Sequence, residues 1–571
     1  MRKHRLVLSA AAVVAAAGIS LGMIPGMAQA AGPAAPAAKG VSAPAVDLGK
    51  LGASDVKTFH SPAEHSVRKA LPTAKGKAAA TAQSTATAQS ADAAGAVAAG
   101  NPDLGLVLNA TSISAHGVEL KTTVLSSPGA TLRVTYDWGD GTTGGADASP
   151  GQEVSLKHSY AELGEYNVKV TVTDAANQAE VVNELPLSTV GSDFTPYAPT
   201  RLLDTRTGTG APMGMVAPYA STKVKIAGNG KIPAGVTAVA LNVTVTNTST
   251  PGHVTAFPSG ATRPTTSNLN FEARQTVPNL VVVPVGKDGS VELYNGGWEP
   301  VDLIADITGY FTHTAASGYT PMAPVRAVDT RSGQGAPMGQ VAGRGTIGVQ
   351  LGGSFVPGNA TAVALNMTAT NPRQDGHLTA YPSGQQAPNT SNVNFVANQT
   401  VANSVIVPIG PDGKINIFNG AWAGTDVIVD VVGYYSPDSS GSFMAVDPHR
   451  MLDTRAWGNG PMYARGYIWM PLSHGEEGIA GYVLNTTVTN TRDSGFLSVA
   501  PDSNTPDQYH DHTEVQLTRP TASTLNWTAG KTVPNLVQAS SGGVNGVVDF
   551  WNQSWDTTDL IVDIFGYYET K

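Results

Sequence analysis

The stretch Asp302-Leu303-Ile304-Ala305-Asp306-Ile307-Thr308-Gly309-Tyr310-Phe311 returns as Asp426-Val427-Ile428-Val429-Asp430-Val431-Val432-Gly433-Tyr434-Tyr435. It returns again as Asp559-Leu560-Ile561-Val562-Asp563-Ile564-Phe565-Gly566-Tyr567-Tyr568. Each copy carries apolar residues on both faces, the pattern of a strand covered on both sides and so interior to a sheet. Other landmarks keep step. Leu203-Asp204-Thr205-Arg206 becomes Val328-Asp329-Thr330-Arg331 and Leu452-Asp453-Thr454-Arg455, so equivalent Asp residues stand 125 and then 124 residues apart. Ala240-Leu241-Asn242 recurs as Ala364-Leu365-Asn366 and Val483-Leu484-Asn485. Ser267 to Phe271 recurs at 391–395 and 523–527, and Val277 to Val281 at 401–405 and 533–537. Solenoids and propeller blades repeat at roughly 20 to 50 residues, so a period this long is a duplicated domain, present three times.

Within the first copy Val239, Leu241, Val243 and Val245 share one face of a strand, and Ala240, Asn242, Thr244 and Thr246 the other. Short β-type runs bounded by Gly and Pro follow at sandwich spacing. Composition agrees: 571 residues with 63 Gly, 38 Pro and no Cys, 41% hydrophobic and only 13% charged. Such a chain favours pleats and turns over helices. The absence of Cys excludes disulfide scaffolds, Cys-ligated metals and thiol nucleophiles. With 34 Lys and Arg against 43 Asp and Glu the net charge is −9. That argues against nucleic acid and anionic membranes as partners and favours a neutral or cationic ligand.

The N-terminus reads as an export signal over 1–30: Arg2, Lys3 and Arg5, an apolar run to Ile24, then Ala28-Gln29-Ala30. The mature chain is then expected to be secreted, extracellular or wall-associated, with no membrane span. Residues 31–100, rich in Ala, Ser, Thr and Gln, read as a disordered linker or pro-segment. The S-x-x-K match at Ser66 to Lys69 falls there, without a fold to hold a nucleophile.

Residues 101–190 carry Trp138-Gly139-Asp140-Gly141-Thr142, His158-Ser159-Tyr160 and Gly164-Glu165-Tyr166-Asn167-Val168-Lys169-Val170-Thr171-Val172-Thr173-Asp174. Alternation places Tyr166, Val168, Val170 and Val172 on one face. Together these motifs resemble the polycystic kidney disease (PKD) domain, which implies an immunoglobulin-like β-sandwich serving as an extracellular spacer or interaction module without catalysis of its own. Asp137 and Asp140 are read as turn formers, since Gly139 occupies the second ligand position of a calcium loop. The three copies, at 191–313, 314–437 and 438–571, resemble a repeat of secreted actinobacterial proteins, with D-T-R near its start, S-N-x-N-F in the middle and A-D-x-x-G-Y-F at its close. That resemblance implies wall or surface association. The expected fold is all-β: a PKD-like sandwich, three tandem β-sandwich repeats and a disordered N-terminal segment.

Residues kept in all three copies are the candidates for chemistry. Asp204, Asp306 and Arg206 return as Asp329, Asp430 and Arg331 and as Asp453, Asp563 and Arg455; Asp302 recurs likewise as Asp426 and Asp559. As a catalytic pair, Asp204 and Asp306 would need defined separation across a cleft. As structure, Asp306 would be a buried charge neutralised by Arg206, and a folding constraint must recur in every copy. The structural reading is preferred. Trp298, Trp422 and Trp555 each follow an Asn (Asn295, Asn419, Asn552) by three residues. An exposed ring would stack on a pyranose beside its Asn; an inward one would plug the sandwich, and the usual burial of Trp favours the plug. In copy three an insertion brings His510 and His512 near Asp507 and Glu514. On a strand the two His would face the same way, a weak metal candidate set against a solvated loop. That copy also keeps fewer Gly and Pro landmarks, which suggests a capping role. His253 and His377 recur, with Phe496 in their place in copy three. No H-E-x-x-H, G-x-S-x-G or P-loop is present, and no cofactor is expected. The expected function is non-catalytic, multivalent binding to polysaccharide or cell wall. A protein ligand, a hydrolase or lyase using the carboxylates, and an inert spacer are the alternatives.

Overall fold

The computed structural model describes residues 57–71, 100–128, 132–456, 460–473, 478–542 and 546–570, all within one compact unit. The signal at 1–30 lies outside them. The chain is all-β, and among the described residues no helix is long and apolar enough to cross a membrane.

The N-terminal sandwich packs a four-stranded sheet against a five-stranded one. Val168, Val170 and Val172 point inward with Leu106, Leu120, Val134 and Tyr136. Two of its strands come from the stretch read as a disordered linker: Thr58–Ser61 pairs with Gly105–Ser112, and Val67–Ala70 with Ala179–Ser188. That expectation is corrected for 57–71. Phe59 packs on the sandwich core, Ser61 donates to Asn183, and Ser66 donates to the Leu106 carbonyl. Ser66 is therefore a strand-edge clamp. The flanking low-complexity segments mask this one apolar anchor in composition.

Each repeat is a sandwich of two four-stranded antiparallel sheets. In repeat one the inner sheet runs opening strand (Asp193–Asp204), closing strand (Asp302–Thr312), central strand (Val236–Thr246), axial strand (Val277–Pro284). The outer sheet runs Ser221–Lys225, Ser290–Asn295, Gly252–Pro258, Leu269–Phe271. Leu203, Leu241, Val243 and Ala305 of the inner sheet meet Val224, Val254 and Leu293 of the outer. Repeats two and three share the strand order, with axial strands Val401–Pro408 and Val533–Ser540.

The repeats form a closed ring around a common axis, which is why the closing strand is apolar on both faces. One face fills its own sandwich. The other joins Ala238, Ala240, Leu280 and Val282 and their equivalents in a shared core between the repeats. Six aromatic rings there pair cyclically: Phe194 with Tyr435 at 4.2 Å, Tyr319 with Tyr568 at 4.2 Å, and Phe443 with Phe311 at 4.7 Å between centroids. The recurring Gly of Gly-Tyr-aromatic makes room for this layer, since a Cβ at Gly309, Gly433 or Gly566 would land on Phe194, Tyr319 or Phe443. Backbone bridges Ser192–Phe443, Phe194–Ser317 and Tyr319–Gly441 close the same end.

Asparagines close the ring further along. Asn403, Asn535 and Asn279 each donate to the carboxamide oxygen of Asn242, Asn366 and Asn485 of a neighbouring repeat, all at 3.1 Å. Asn242, Asn366 and Asn485 in turn donate to the backbone carbonyls of Ser391, Ser523 and Ser267. All six are buried, so these bonds satisfy groups that would otherwise be orphaned. The third repeat contacts both neighbours and completes the ring, which corrects its reading as a cap. The PKD-like sandwich sits at the aromatic end, where the Ala115 amide meets Glu569 and His116 meets Ser442.

Candidate functional site

The recurring carboxylates lie in the seams between repeats. Asp306 on the closing strand stands in register between Arg201 of the opening strand and Asn242 of the central strand. It is 1% exposed. Its partner is Arg201, which forks onto both carboxylate oxygens at 2.8 and 3.2 Å and reaches Asp204 at 3.1 Å. Arg206 lies on Asp204 alone, at 2.9 and 2.7 Å. The expected Asp306–Arg206 pairing is therefore corrected: the D-T-R arginine sits on the turn, while the arginine three positions before the Asp points along the sheet. Arg326 and Arg450 repeat the arrangement on Asp430 with Asp329 and on Asp563 with Asp453, and Arg331 and Arg455 again hold the turn. Arg201, Arg326 and Arg450 recur at a constant offset, a signal present in the sequence.

Burial pushes Asp306 up from its ordinary value while the Arg201 fork pulls it back. Hydrogen bonds from Arg206 hold Asp204 below the usual carboxylate range. The middle residue of D-T-R also has a structural partner: Thr205 donates to Asp302 at 2.7 Å, and Asn247 to its other oxygen at 2.7 Å. Asp204 and Asp306 are thus bridged by one guanidinium, with no open cleft between them for the water or sugar that glycoside hydrolysis requires.

The tryptophans differ in kind. Trp298, Trp422 and Trp555 are 75%, 82% and 70% exposed, which overturns the plug reading. Most of the residue is presented to solvent in all three copies. Beside each ring stands a residue with positive φ at the equivalent position of the preceding loop. Tyr219 packs edge-on to Trp298 at 5.4 Å; the guanidinium of Arg344 lies 5.3 Å from the Trp422 ring, and that of Arg465 lies 5.1 Å from Trp555. The neighbouring asparagines are buried and make no surface, correcting their assignment as ligand contacts. Asn295 donates to the carbonyls of Val216, Ala217 and Glu299 and accepts from Gly297. Asn419 and Asn552 do the same in their repeats. Each Asn is a clamp that fixes the loop on which its Trp stands.

Residues Pro506–His510 form a short helix with a capping box at Thr505, followed by a turn with His512 at positive φ. The strand alternation that would have aligned His510 and His512 is absent. Among the described residues no group of three or more His, Asp or Glu side chains gathers in a metal-binding arrangement. The helix instead lays Tyr509 flat on Trp469 at 4.3 Å, an apolar anchor between polar neighbours. In the N-terminal sandwich Asp140 accepts from Thr142 and contacts His158 at 2.8 Å, and Asp137 accepts from Gly139. Both acids tie down the turn. His253 and His377 sit against Gly296 and Gly420 of the Trp loops, their pKa values lowered by burial.

Residues 106–187 match the family model of the PKD domain. No curated protein matches the chain. Among solved structures, it is similar to a carbohydrate-binding module of the β-sandwich superfamily, at 11% identity over 35% of this chain and 88% of that one, TM-score 0.14. SusE-like protein BT2857 shows 8% identity over 36% and 97%, TM-score 0.12. A structure of Sulfolobus Turreted Icosahedral Virus shows 9% over 66% and 91%, TM-score 0.13.

Proposed function

We propose that the protein is a secreted, non-catalytic adhesin that holds polysaccharide or cell wall through its three tryptophan loops. The reading is carried by one observation: three equivalent Trp side chains are left largely exposed at the same loop of each repeat. A bare indole forgoes a large burial gain, and a flat apolar face with an N–H edge suits the apolar face of a pyranose. The Asn clamps hold the rings ready, so little ordering is lost on binding. Three weak contacts on one rigid ring gain avidity on a polymer that no single ring would have. Arg344 and Arg465 beside two of the rings add hydrogen-bond donors.

The test is a pull-down of the chain on peptidoglycan, chitin and cellulose with a parallel reducing-sugar assay. Retention without release of reducing ends is expected. Replacing all three Trp by Ala should sharply weaken retention while leaving the melting temperature in place. Release of reducing ends would favour the hydrolase reading.

A further inference from the structure

The axial strands begin at Val277, Val401 and Val533, and at these ends the molecule encloses a cavity of about 620 Å3, within the range of small-molecule sites. It lies at the end of the ring opposite the PKD-like sandwich. The central strand Val236–Thr246 pairs with the closing strand's Thr312 at one end and with Val277 and Asp302 at the other. The Trp loops, which run directly into the closing strands, share that end. Along the axial strands the lining ends at Pro278, Ala402 and Pro534. Each of these stands one residue before an asparagine of the bonded ring, Asn279, Asn403 or Asn535, which closes the axis behind the cavity.

Its wall is threefold and mixed, with apolar surface from Val277, Val401, Val533, Phe395 and Trp527 between polar groups. Asn270, Asn394 and Asn526 line it, as do Thr276, Thr400 and Thr532. Asn270 and Asn394 accept from Ser267 and Ser391 through their carboxamide oxygens. The carboxamide oxygen of Asn526 is buried and has no hydrogen-bond partner among the described residues, so a ligand hydroxyl reaches it only when this side chain turns toward the cavity. The charges balance: Glu272 pairs with Lys531 across the seam of repeats one and three, and Arg274 and Asp375 are of opposite sign. Amides and hydroxyls set among apolar side chains, in a wall without net charge, suit a neutral ligand that has both hydroxyl groups and apolar faces. The bonded asparagine ring behind the wall admits an end rather than a passing chain.

We propose that this cavity binds the end of one neutral saccharide chain per molecule. The choice of saccharide among neutral polar ligands rests on the glycan reading of the tryptophan loops. Those loops lie outside the cavity wall, so the two sites can be tested apart.

The experiment is titration calorimetry of the full chain with neutral tetrasaccharides of glucose, N-acetylglucosamine, mannose and galactose. It compares the natural protein with a W298A/W422A/W555A variant, an A402F variant that fills the wall where the other repeats have Pro278 and Pro534, and an N526A variant. The tryptophan variant is expected to bind one of these sugars one to one. A402F should weaken that binding at least tenfold and N526A at least threefold, each with a cooperative melt. Should A402F fail to fold, N526A decides. The proposal is overturned if the tryptophan variant binds none of them, or if the cavity variants bind as the natural chain does. The pull-down is decided separately: the tryptophan-loop reading fails if the natural chain is not retained, or if the tryptophan variant is retained as strongly as the natural chain, whatever the titration shows.

Discussion

Arg201 bridges two carboxylates, but removing it strands only one of them. Asp306 would remain buried at a seam with no counter-charge, whereas Asp204 would keep Arg206. Arg201→Ala should therefore cost about 3 to 5 kcal/mol in denaturant unfolding, and Arg206→Ala clearly less. The loop clamps give a second test. Asn419→Ala strips donors from three backbone carbonyls and should cost about 1 to 3 kcal/mol, while Trp422→Ala should leave stability within error and weaken polymer retention. Recurrence in the sequence picked out the acids and the tryptophans but not what each touches. Asn295 and Trp298 stand three residues apart and recur equally well, yet one is fully buried and the other bare. Periodicity separates such residues along a regular strand; in a loop it says nothing, and there the bonds of Asn295 to Val216, Ala217, Gly297 and Glu299 are what hold it inward.

At the level of elements, the Asp140 turn ties the Trp138 loop to the strand bearing His158, whose ring stacks on Trp138 at 4.4 Å. Burial of Asp140 pushes its carboxyl up, but hydrogen bonds from Thr142 and His158 outweigh this and hold it at about 2. The folded pKa lies below the unfolded value near 4, so this stabilisation is complete above that value and is lost as pH falls toward about 2. Acid titration of the melting temperature should show the N-terminal sandwich weakening over that interval, with a smaller slope in Asp140→Asn. The alternating strand Glu165–Asp174 was fully legible, because one of its faces meets water. The central strand of each repeat was legible in form only. Its second face, Ala240, Asn242 and Thr244, has the polarity of a solvated surface and is in fact buried against the next repeat. Alternation reports side-chain polarity, and here the partner of the polar face is Ser391, far along the chain.

For the molecule as a whole, the asparagine ring makes each repeat's stability depend on both neighbours. Asn242→Ala removes the donor to Ser391 and leaves Asn403 short of an acceptor. Hydrogen exchange should then speed up in the axial strand of repeat two as well as in repeat one; a change confined to repeat one would mean the repeats open independently. The sequence displayed three copies of one sandwich but not their closure, since no property of a single copy reveals what lies against its second face. That closure has a bearing on the export proposed above. A triad of separate subunits would fall apart on dilution, and a protein so exported would have no control over its own concentration. Joined in one chain, the three sandwiches meet at a local concentration fixed by their connecting peptides, so the assembled triad survives in dilute surroundings where loose copies would drift away.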